Sequence, residues 1–213
     1  MSARKESSQN EVSTKEKILT CAVNLFAKKG YTETTIRELA DAAGLKGASI
    51  YNHFPSKNAI LEHILKDYLK NNANVFDKES IYAKLSKDPT ANGIINCLTL
   101  AFPEGMSERY LKVLCVLLQE QHRNPLIQDF MANHIILSGE NYIKSIFQIL
   151  KDLKILRHDV DLDPWAKIHS SLLYAFSSRM LLGIGDASSD FSGMGMVDLI
   201  RFQFSMLLKI SAA

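Results

Sequence analysis

The sequence predicts an all-α fold, in which three short N-terminal helices precede a larger helical domain. Apolar residues recur at helical spacing along nearly the whole chain, beginning with Ile18, Leu19, Ala22, Val23 and Phe26. Glycines and prolines fall between the periodic segments, and no alternation of apolar and polar residues is long enough to predict a strand. The 213 residues, 46% of them hydrophobic, suffice for one large or two small domains.

The first two helices carry signals at both ends. Ser13 lies three residues before Glu16, which is the spacing of a capping box, and Gly30 is placed to end the first helix. The second helix opens at a pair of threonines, of which Thr35 lies three residues before another glutamate. It stops at Gly44, so it is only about two turns long.

The remaining helices are predicted from periodicity and from proline and glycine positions. A third helix covers about 47–54, and Pro55 separates it from a fourth helix. The polar stretch 71–89 is interpreted as the end of that helix, a linker and a short helix, and the glycine-rich stretch 183–195 as a mobile loop. Further helices are predicted near 90–101, 107–122, 125–154, 164–183 and 195–210.

Composition excludes several classes of protein. No apolar run reaches the roughly 18 residues of a membrane span, and the polar N-terminus lacks the core of a secretory signal, so residues 1–12 are expected to be a disordered tail. The three cysteines are isolated, which predicts neither a disulfide framework nor a zinc site. We therefore expect a cytoplasmic protein without a cofactor or a membrane partner. Residues 1–70 carry a net charge of +3 and residues 71–213 of −1, a weak asymmetry.

The break at Gly44 indicates a helix-turn-helix pair. Two helices that meet at a steep angle need a residue that adopts positive φ in the turn, and glycine does so without strain. They also need a small residue where they cross and an aliphatic residue pointing back, and Ala40 and Ile50 occupy those offsets. Four more residues are predicted to close the small core with the first helix: Ile36, Leu39, Leu45 and Phe54.

The exposed face of the second helix of this pair contains no acidic residue. A short side chain near the start of such a helix lets it enter a DNA major groove, and helix starts favour phosphate. The alternative is an exposed helical corner that binds nothing. The predicted face comprises Lys46, Ala48, Ser49, Asn52 and His53 with Tyr51 at its edge, while Thr34, Thr35 and Lys57 lie at helix starts.

The run TTIRELADAAGLKGASIYNHFPSKNAIL, preceded by ILTCAVNLFAKKGY, resembles the TetR family of bacterial transcriptional regulators over about residues 13–65. The resemblance implies an all-helical homodimer whose N-terminal domain reads operator DNA. A larger C-terminal domain would bind a small-molecule effector. Such proteins usually repress transcription, and ligand binding releases them from the operator.

The family's DNA contacts carry over position by position. Two departures affect the start of the recognition helix: Lys46 stands where the family often has a serine or threonine cap, and Ala48 where glycine is frequent, with Gly47 one place earlier. The matching phosphate-contacting places are Thr35, Tyr51, His53 and Lys57, and the places of base or mixed contacts are Arg37, Lys46, Ser49 and Asn52.

The predicted domains are a helix-turn-helix domain, 13–57, and a regulatory and dimerisation domain, 58–213, which begins with a connecting helix, 58–72. The last two helices are apolar on most sides, so they are predicted to be buried against a second copy of the chain. The alternative is a pair of internal core helices. The predicted interface comprises Trp165, Ile168, Leu172, Phe176, Ile200, Phe204, Leu207 and Leu208.

A pocket for a mostly apolar ligand is predicted among the middle helices, although each candidate residue also suits an ordinary core. Two alternatives to a ligand-released repressor stay open: an activator or a regulator controlled by a partner protein, and an enzyme whose helix-turn-helix is purely structural. No motif for a nucleophile, a phosphate loop or a metal supports the enzyme. The pocket candidates are Cys97, Phe102, Met106, Cys115, Gln119, His122, Met131, Tyr142, His169 and Tyr174.

Overall fold

A computed structural model describes residues 13–72, 77–99, 107–181 and 196–212. The described residues are helical apart from short connections, and their only pairing of strand type is an isolated bridge between Leu156 and Ala212. This confirms the predicted all-α class. The chain divides into two compact units, the first comprising residues up to Tyr68 together with Glu108–Glu120, and the second comprising the rest.

The first unit contains the three predicted N-terminal helices, most of a fourth and the whole of a later helix. The helix starts follow their signals: Ser13 caps the first helix through the Glu16 N–H, and the Gly30 N–H donates to the Phe26 carbonyl oxygen at its end. Its elements are α1 (Thr14–Lys29), α2 (Ile36–Ala43), α3 (Gly47–Tyr51), α4 (Lys57–Asn72, up to Tyr68 in this unit) and α7 (Glu108–Glu120).

The core of the first unit is built on the predicted periodicity. Leu39, Ala40, Ile50 and Phe54 are buried, as predicted for the helix-turn-helix pair. Ile36 and Leu45 are only half-buried, which corrects their assignment to the core. Other fully buried side chains from α1, α4 and α7 complete the core: Ile18, Leu19, Phe26, Ile60, Leu61 and Leu117.

Helix α7 joins this unit although 35 residues of sequence separate it from α4. Its apolar face lies against α1, and Arg109 forms an ion pair with Glu16 at 2.6 Å while Lys112 donates to Asn24 at 2.7 Å. The predicted division at residue 57 placed α4 and α7 in the regulatory domain. Contacts in the structure instead group α7 and most of α4 with the helix-turn-helix pair.

The second unit packs the remaining helices around an apolar core that contains Phe147, Phe204 and Leu207. The helix predicted over 125–154 is present, but its middle is a π-helical segment, Met131–Leu137, a rare geometry that periodicity does not distinguish. The other elements are α5 (Lys78–Lys87), α6 (Ala91–Thr99), α8 (Pro125–Phe130), α9 (Ser138–Asp152), α10 (Asp163–Leu181) and α11 (Met196–Ile210).

Burial in the second unit corrects part of the predicted dimer interface. Phe204 and Leu207 are completely buried within their own chain, and Ile200 is nearly so, because α11 packs them against α6, α9 and α10. These three side chains are therefore not available to a partner. Ile168 is exposed, and four other candidates are half-buried: Trp165, Leu172, Phe176 and Leu208.

Some predictions fall on residues that the structure does not describe. These are the tail 1–12, the loop 183–195 and two pocket candidates, Phe102 and Met106. Within the described ranges, no helix is both long and apolar enough to cross a bilayer. The same ranges contain no group of three or more histidine, cysteine or carboxylate side chains arranged to hold a metal ion.

Candidate nucleic-acid interface

The turn between α2 and α3 is set by Gly44. Its φ of 66° and ψ of 36° lie in the left-handed region, where a side chain costs free energy. The Gly44 N–H donates to Asp41 and the Leu45 N–H to Ala40, which ends α2 within one residue. This tight turn brings Ile50 of α3 back into the core, and so fixes which face of α3 is exposed.

The start of α2 is closed by a complete capping box. The Glu38 N–H donates to the Thr35 hydroxyl, and the Thr35 N–H donates to the Glu38 carboxylate at 2.8 Å. Lys29 also pairs with Glu38, and the bonds from Lys29 and then from Thr35 lower the pKa of Glu38 from 4.5 to about 2. The box holds Thr35 and Arg37 at an exposed helix start.

The exposed face of α3 agrees with the predicted reading face. Ile50 is completely buried, whereas its neighbour Tyr51 is 55% exposed. Ser49 is half-buried, and Lys46 at the N-cap accepts no cap bond from the helix, as its side chain dictates. No acidic side chain lies on this face, whose exposed members are Lys46, Gly47, Ala48, Tyr51, Asn52 and His53.

Thr34 does not belong to the surface. Its side chain is 1% exposed, and its hydroxyl donates to the Gly30 carbonyl oxygen at 2.8 Å. The predicted phosphate contact is therefore wrong for Thr34, because the side chain is used inside the turn that joins α1 to α2. The neighbouring Thr35 remains exposed.

Lys57 is also used internally. Its ammonium group donates to the carbonyl oxygens of Tyr31, Thr32 and Thr34 at 2.7, 3.1 and 2.8 Å, and it lies 4.4 Å from the centre of the Tyr31 ring. Burial lowers the pKa of Lys57, opposed by the nearby Glu120 and Glu33 carboxylates. An ammonium group has three N–H donors, so all of them are occupied within the described residues, and a phosphate contact of Lys57 stays a prediction.

Sequence reasoning missed Glu120, the last residue of α7. It is 5% exposed, and its Oε1 accepts the Tyr31 N–H at 2.9 Å. The spacing in the sequence predicts that Glu120 is buried, because Val113, Leu117 and Glu120 are four and three residues apart and lie on one buried helix face. A carboxylate on such a face needs a partner inside the fold.

The pocket candidates are divided between the two units. Cys115 and Gln119 lie on α7 in the first unit, where the Cys115 thiol donates to the Ala27 carbonyl oxygen at 3.8 Å. In the second unit, the Tyr142 hydroxyl donates to the Cys97 carbonyl oxygen at 2.9 Å. Met131 is also buried there, His122 is exposed, and Tyr174 accepts a hydrogen bond from Gln121.

His169 is a pocket candidate that lies in the core of the second unit. It is 2% exposed, stacks on Phe204 and lies 3.2 Å from Gln203 Oε1. Burial lowers its pKa to about 4, although the Gln203 bond acts in the other direction. The ring is therefore a neutral, hydrogen-bonded member of the core of the second unit at neutral pH.

Comparison with known sequences places the N-terminal region in a family. The family described as bacterial regulatory proteins, tetR family, matches residues 18–64. The HTH-type transcriptional repressor KstR2 of Mycolicibacterium smegmatis is 40% identical over 57 residues, which are 27% of this chain and 28% of KstR2. The biofilm operon icaADBC negative transcriptional regulator IcaR of Staphylococcus aureus strain Newman is 40% identical over 72 residues, 32% of this chain and 39% of IcaR. The similarity to these curated relatives thus spans well under half of their length.

Comparison with solved structures extends the likeness in fold to nearly the whole chain. The fatty acid degradation regulator FadR of Bacillus halodurans superposes with a TM-score of 0.63, covering 94% of this chain and 97% of FadR at 15% identity. At that identity the likeness concerns the fold alone. The chain carries the N-terminal helix-turn-helix domain of the TetR family of bacterial regulatory proteins, followed by a helical domain.

Proposed function

We propose that the chain is a homodimeric, sequence-specific DNA-binding transcriptional regulator that represses its target and is released from the operator by a small, mostly apolar molecule. The observation that carries the proposal is the exposed face of α3. The side chains of Lys46, Tyr51, Asn52 and His53 there, and that of Arg37 in the first turn of α2, are exposed and make no hydrogen bond or ion pair to another described residue. These groups donate to phosphate oxygens and base edges, and no carboxylate on the face opposes them.

DNA binding is tested by fluorescence anisotropy with the DNA that flanks the protein's own gene, across a salt series and against random DNA. We expect specific binding whose affinity falls steeply with salt, because phosphate contacts release counterions. Tyr51→Ala should weaken binding, whereas the matched variant Tyr82→Ala, which removes an exposed tyrosine of the second unit, should not. Equal binding to random and flanking DNA would contradict a local operator, and an unaltered Tyr51→Ala would contradict the assigned face.

Dimerisation is supported by a row of exposed apolar side chains on α11. Phe202, Met206 and Ile210 are 61%, 38% and 56% exposed and follow one another at four-residue spacing, so they form one stripe of the helix. Ile168 on α10 is also exposed. A stripe of this kind is typical of a surface that a partner covers. These side chains replace the three predicted interface residues that are buried in their own chain.

Sedimentation analysis of Phe202→Glu tests the dimer, because a charge in the centre of an apolar interface is costly. We expect a monomer, and a much weaker affinity for a two-fold operator. Tyr82→Glu is the control, since it adds the same charge at another exposed aromatic position. A Phe202→Glu variant that remains a dimer would place the interface elsewhere.

Repression is supported by two relatives of the N-terminal region, since KstR2 is a transcriptional repressor and IcaR a negative transcriptional regulator. The activator and the partner-controlled regulator are the competing functions. A reporter fused to the bound promoter, in cells with and without the gene, separates them: higher expression without the gene supports a repressor, and lower expression an activator. Release of the purified protein from that DNA by apolar small molecules then tests the effector.

A further inference from the structure

The turn that joins α1 to α2, residues Gly30–Thr35, has its backbone groups satisfied by side chains from distant parts of the chain. Within the turn itself, the Thr34 N–H donates to the Tyr31 carbonyl oxygen and the Thr34 hydroxyl to that of Gly30. The Tyr31 N–H and the carbonyl groups of Thr32 and Thr34 have no such local partner. Backbone polar groups that leave water need partners, and Glu120 and Lys57 supply them for the part-buried groups of Tyr31 and Thr34 and also for the exposed carbonyl of Thr32.

Lys57 gathers three carbonyl oxygens of this turn around one charge. The three bonds span 2.7 to 3.1 Å, and the ring of Tyr31 packs beneath the ammonium group. Hydrogen bonds to a charged donor are about twice as strong as neutral ones. A group in this position orients the last residues before Thr35, where α2 begins.

Glu120 holds the other side of the same turn. Its Oε1 accepts the Tyr31 N–H, and its Oε2 is buried without a hydrogen-bond partner among the described residues. The approach is close: a Cβ on Gly30, whose φ is +90°, would lie 3.1 Å from Glu120 Oε1. Glycine at position 30 thus serves both the backbone conformation and the access of the carboxylate.

We propose that Lys57 and Glu120 are positioning residues, which fix the Gly30–Thr35 turn and hence the start of α2 without touching DNA. The inference deepens the proposed function, since it assigns how the reading helices are held in register. Lys57 comes from the start of α4 and Glu120 from the end of α7. A displacement of either helix therefore changes the turn directly, which makes the pair the structural link between those helices and the DNA-reading residues.

The salt dependence of DNA binding distinguishes positioning from phosphate contact for Lys57. If Lys57 positions the turn, Lys57→Met lowers the affinity for specific DNA about tenfold or more and leaves the slope of log K against log salt unchanged. If Lys57 contacts phosphate, the slope becomes shallower by about one for each protomer. Lys66→Met is the control, because Lys66 is an exposed lysine on the same helix.

Amide hydrogen exchange tests Glu120 without DNA. Glu120→Gln is nearly isosteric and keeps an acceptor oxygen, so we expect a folded protein in which the weaker neutral bond speeds exchange of the Tyr31 N–H by about three- to tenfold. Amides in the middle of α1 should exchange as in the wild type. Glu108→Gln is the matched control, because that glutamate is exposed at the other end of α7. An unchanged Tyr31 amide in Glu120→Gln would overturn the role of Glu120.

The DNA affinity of Glu120→Gln gives a second test, because a positioning role and a simple charge effect predict opposite changes. Removing a negative charge near DNA would by itself raise the affinity, whereas loosening the turn lowers it. A fall of about three- to tenfold with an unchanged salt slope supports positioning, and a rise or no change overturns it. The proposed function is tested separately: if the wild type binds no specific DNA, that function fails, whereas the exchange experiment still decides whether Glu120 holds the turn.

Discussion

The two helices of the helix-turn-helix pair begin in opposite ways. Helix α2 starts at Thr35 with a complete capping box, directly after a turn whose polar groups are bound by Lys57 and Glu120. Helix α3 starts at Lys46 with no side-chain cap, and of its residues only Ile50 is buried. The first region uses its polar groups internally and the second leaves them exposed. A residue type associated with DNA contact is therefore available to DNA only if its side chain is not already bonded within the fold.

The largest expected effect is the difference in stability loss between truncation of Ile50 and truncation of its neighbour Tyr51. Truncating a fully buried isoleucine costs about 2–5 kcal/mol, so Ile50→Ala should lower the free energy of unfolding by that amount. Tyr51 is 55% exposed and makes no internal polar contact, so Tyr51→Ala should change stability by about 0.5 kcal/mol or less. Urea denaturation measures both. Equal losses in the free energy of unfolding would contradict the division of α3 into one buried residue, Ile50, and an exposed predicted reading face.

Gly44→Ala tests the turn that sets this division. The left-handed conformation at φ 66° costs a non-glycine residue about 1–2 kcal/mol, and the variant should be destabilised by that amount in urea denaturation. Gly47→Ala is the control, because Gly47 is exposed in α3, has a helical conformation and has open space where a Cβ would lie. A Gly44→Ala variant as stable as Gly47→Ala would show that the turn tolerates another geometry.

Thr35→Ala tests the cap of α2. Loss of the side chain that accepts the Glu38 N–H should cost about 1 kcal/mol in thermal or urea unfolding. Because Thr35 is also exposed at a predicted phosphate-contacting place, its DNA affinity should fall too. Thr35→Ser keeps the hydroxyl and should restore both properties. If Thr35→Ala leaves the stability unchanged, the side-chain cap of α2 does not distinguish its start from the uncapped start of α3.

The smallest expected effect is the contribution of Glu38 to the pH dependence of the free energy of unfolding. Its pKa is lowered on folding from 4.5 to about 2, so its contribution to stability is present above about pH 4.5 and is lost as the pH falls towards 2. Glu38→Gln should therefore lose less stability than the wild type across that interval. Unfolding followed at several pH values measures the difference. Parallel curves for the two proteins would show that the bonds from Lys29 and Thr35 do not stabilise the carboxylate.

Much of the helical order was predictable, because helix starts and stops depend on local chemistry. Ser13, Gly30, Thr35 and Gly44 mark the ends of α1 and α2 where the sequence predicts them. The π-helical segment was not predicted, because a one-residue change in helical hydrogen bonding leaves apolar spacing almost unchanged. The buried positions of α11 were predicted as apolar, but whether the chain itself or a partner covers them depends on the packing of α6, α9 and α10.

The same limit applies to the candidate DNA-binding site. The exposed, acid-free face of α3 follows from local pattern, since Gly44 and Ile50 determine which side of the helix is buried. The internal hydrogen bonds of Lys57 do not follow from local pattern, because they join residues that are 23–26 positions apart and the lysine side chain suits a phosphate equally well. The Thr34 bond spans only four residues, but its hydroxyl suits a phosphate as well as a carbonyl oxygen.

The all-α class, the helix-turn-helix pair and the chemical character of its predicted reading face follow from the sequence, because each depends on spacing and residue type within a few turns. The grouping of α7 with that pair, and the hydrogen bonds from Lys57 and Glu120 to the turn before α2, became visible only in the folded chain. A polar group can be satisfied by any partner that the fold brings within about 3 Å, and Glu120 and Tyr31 are 89 residues apart in the sequence.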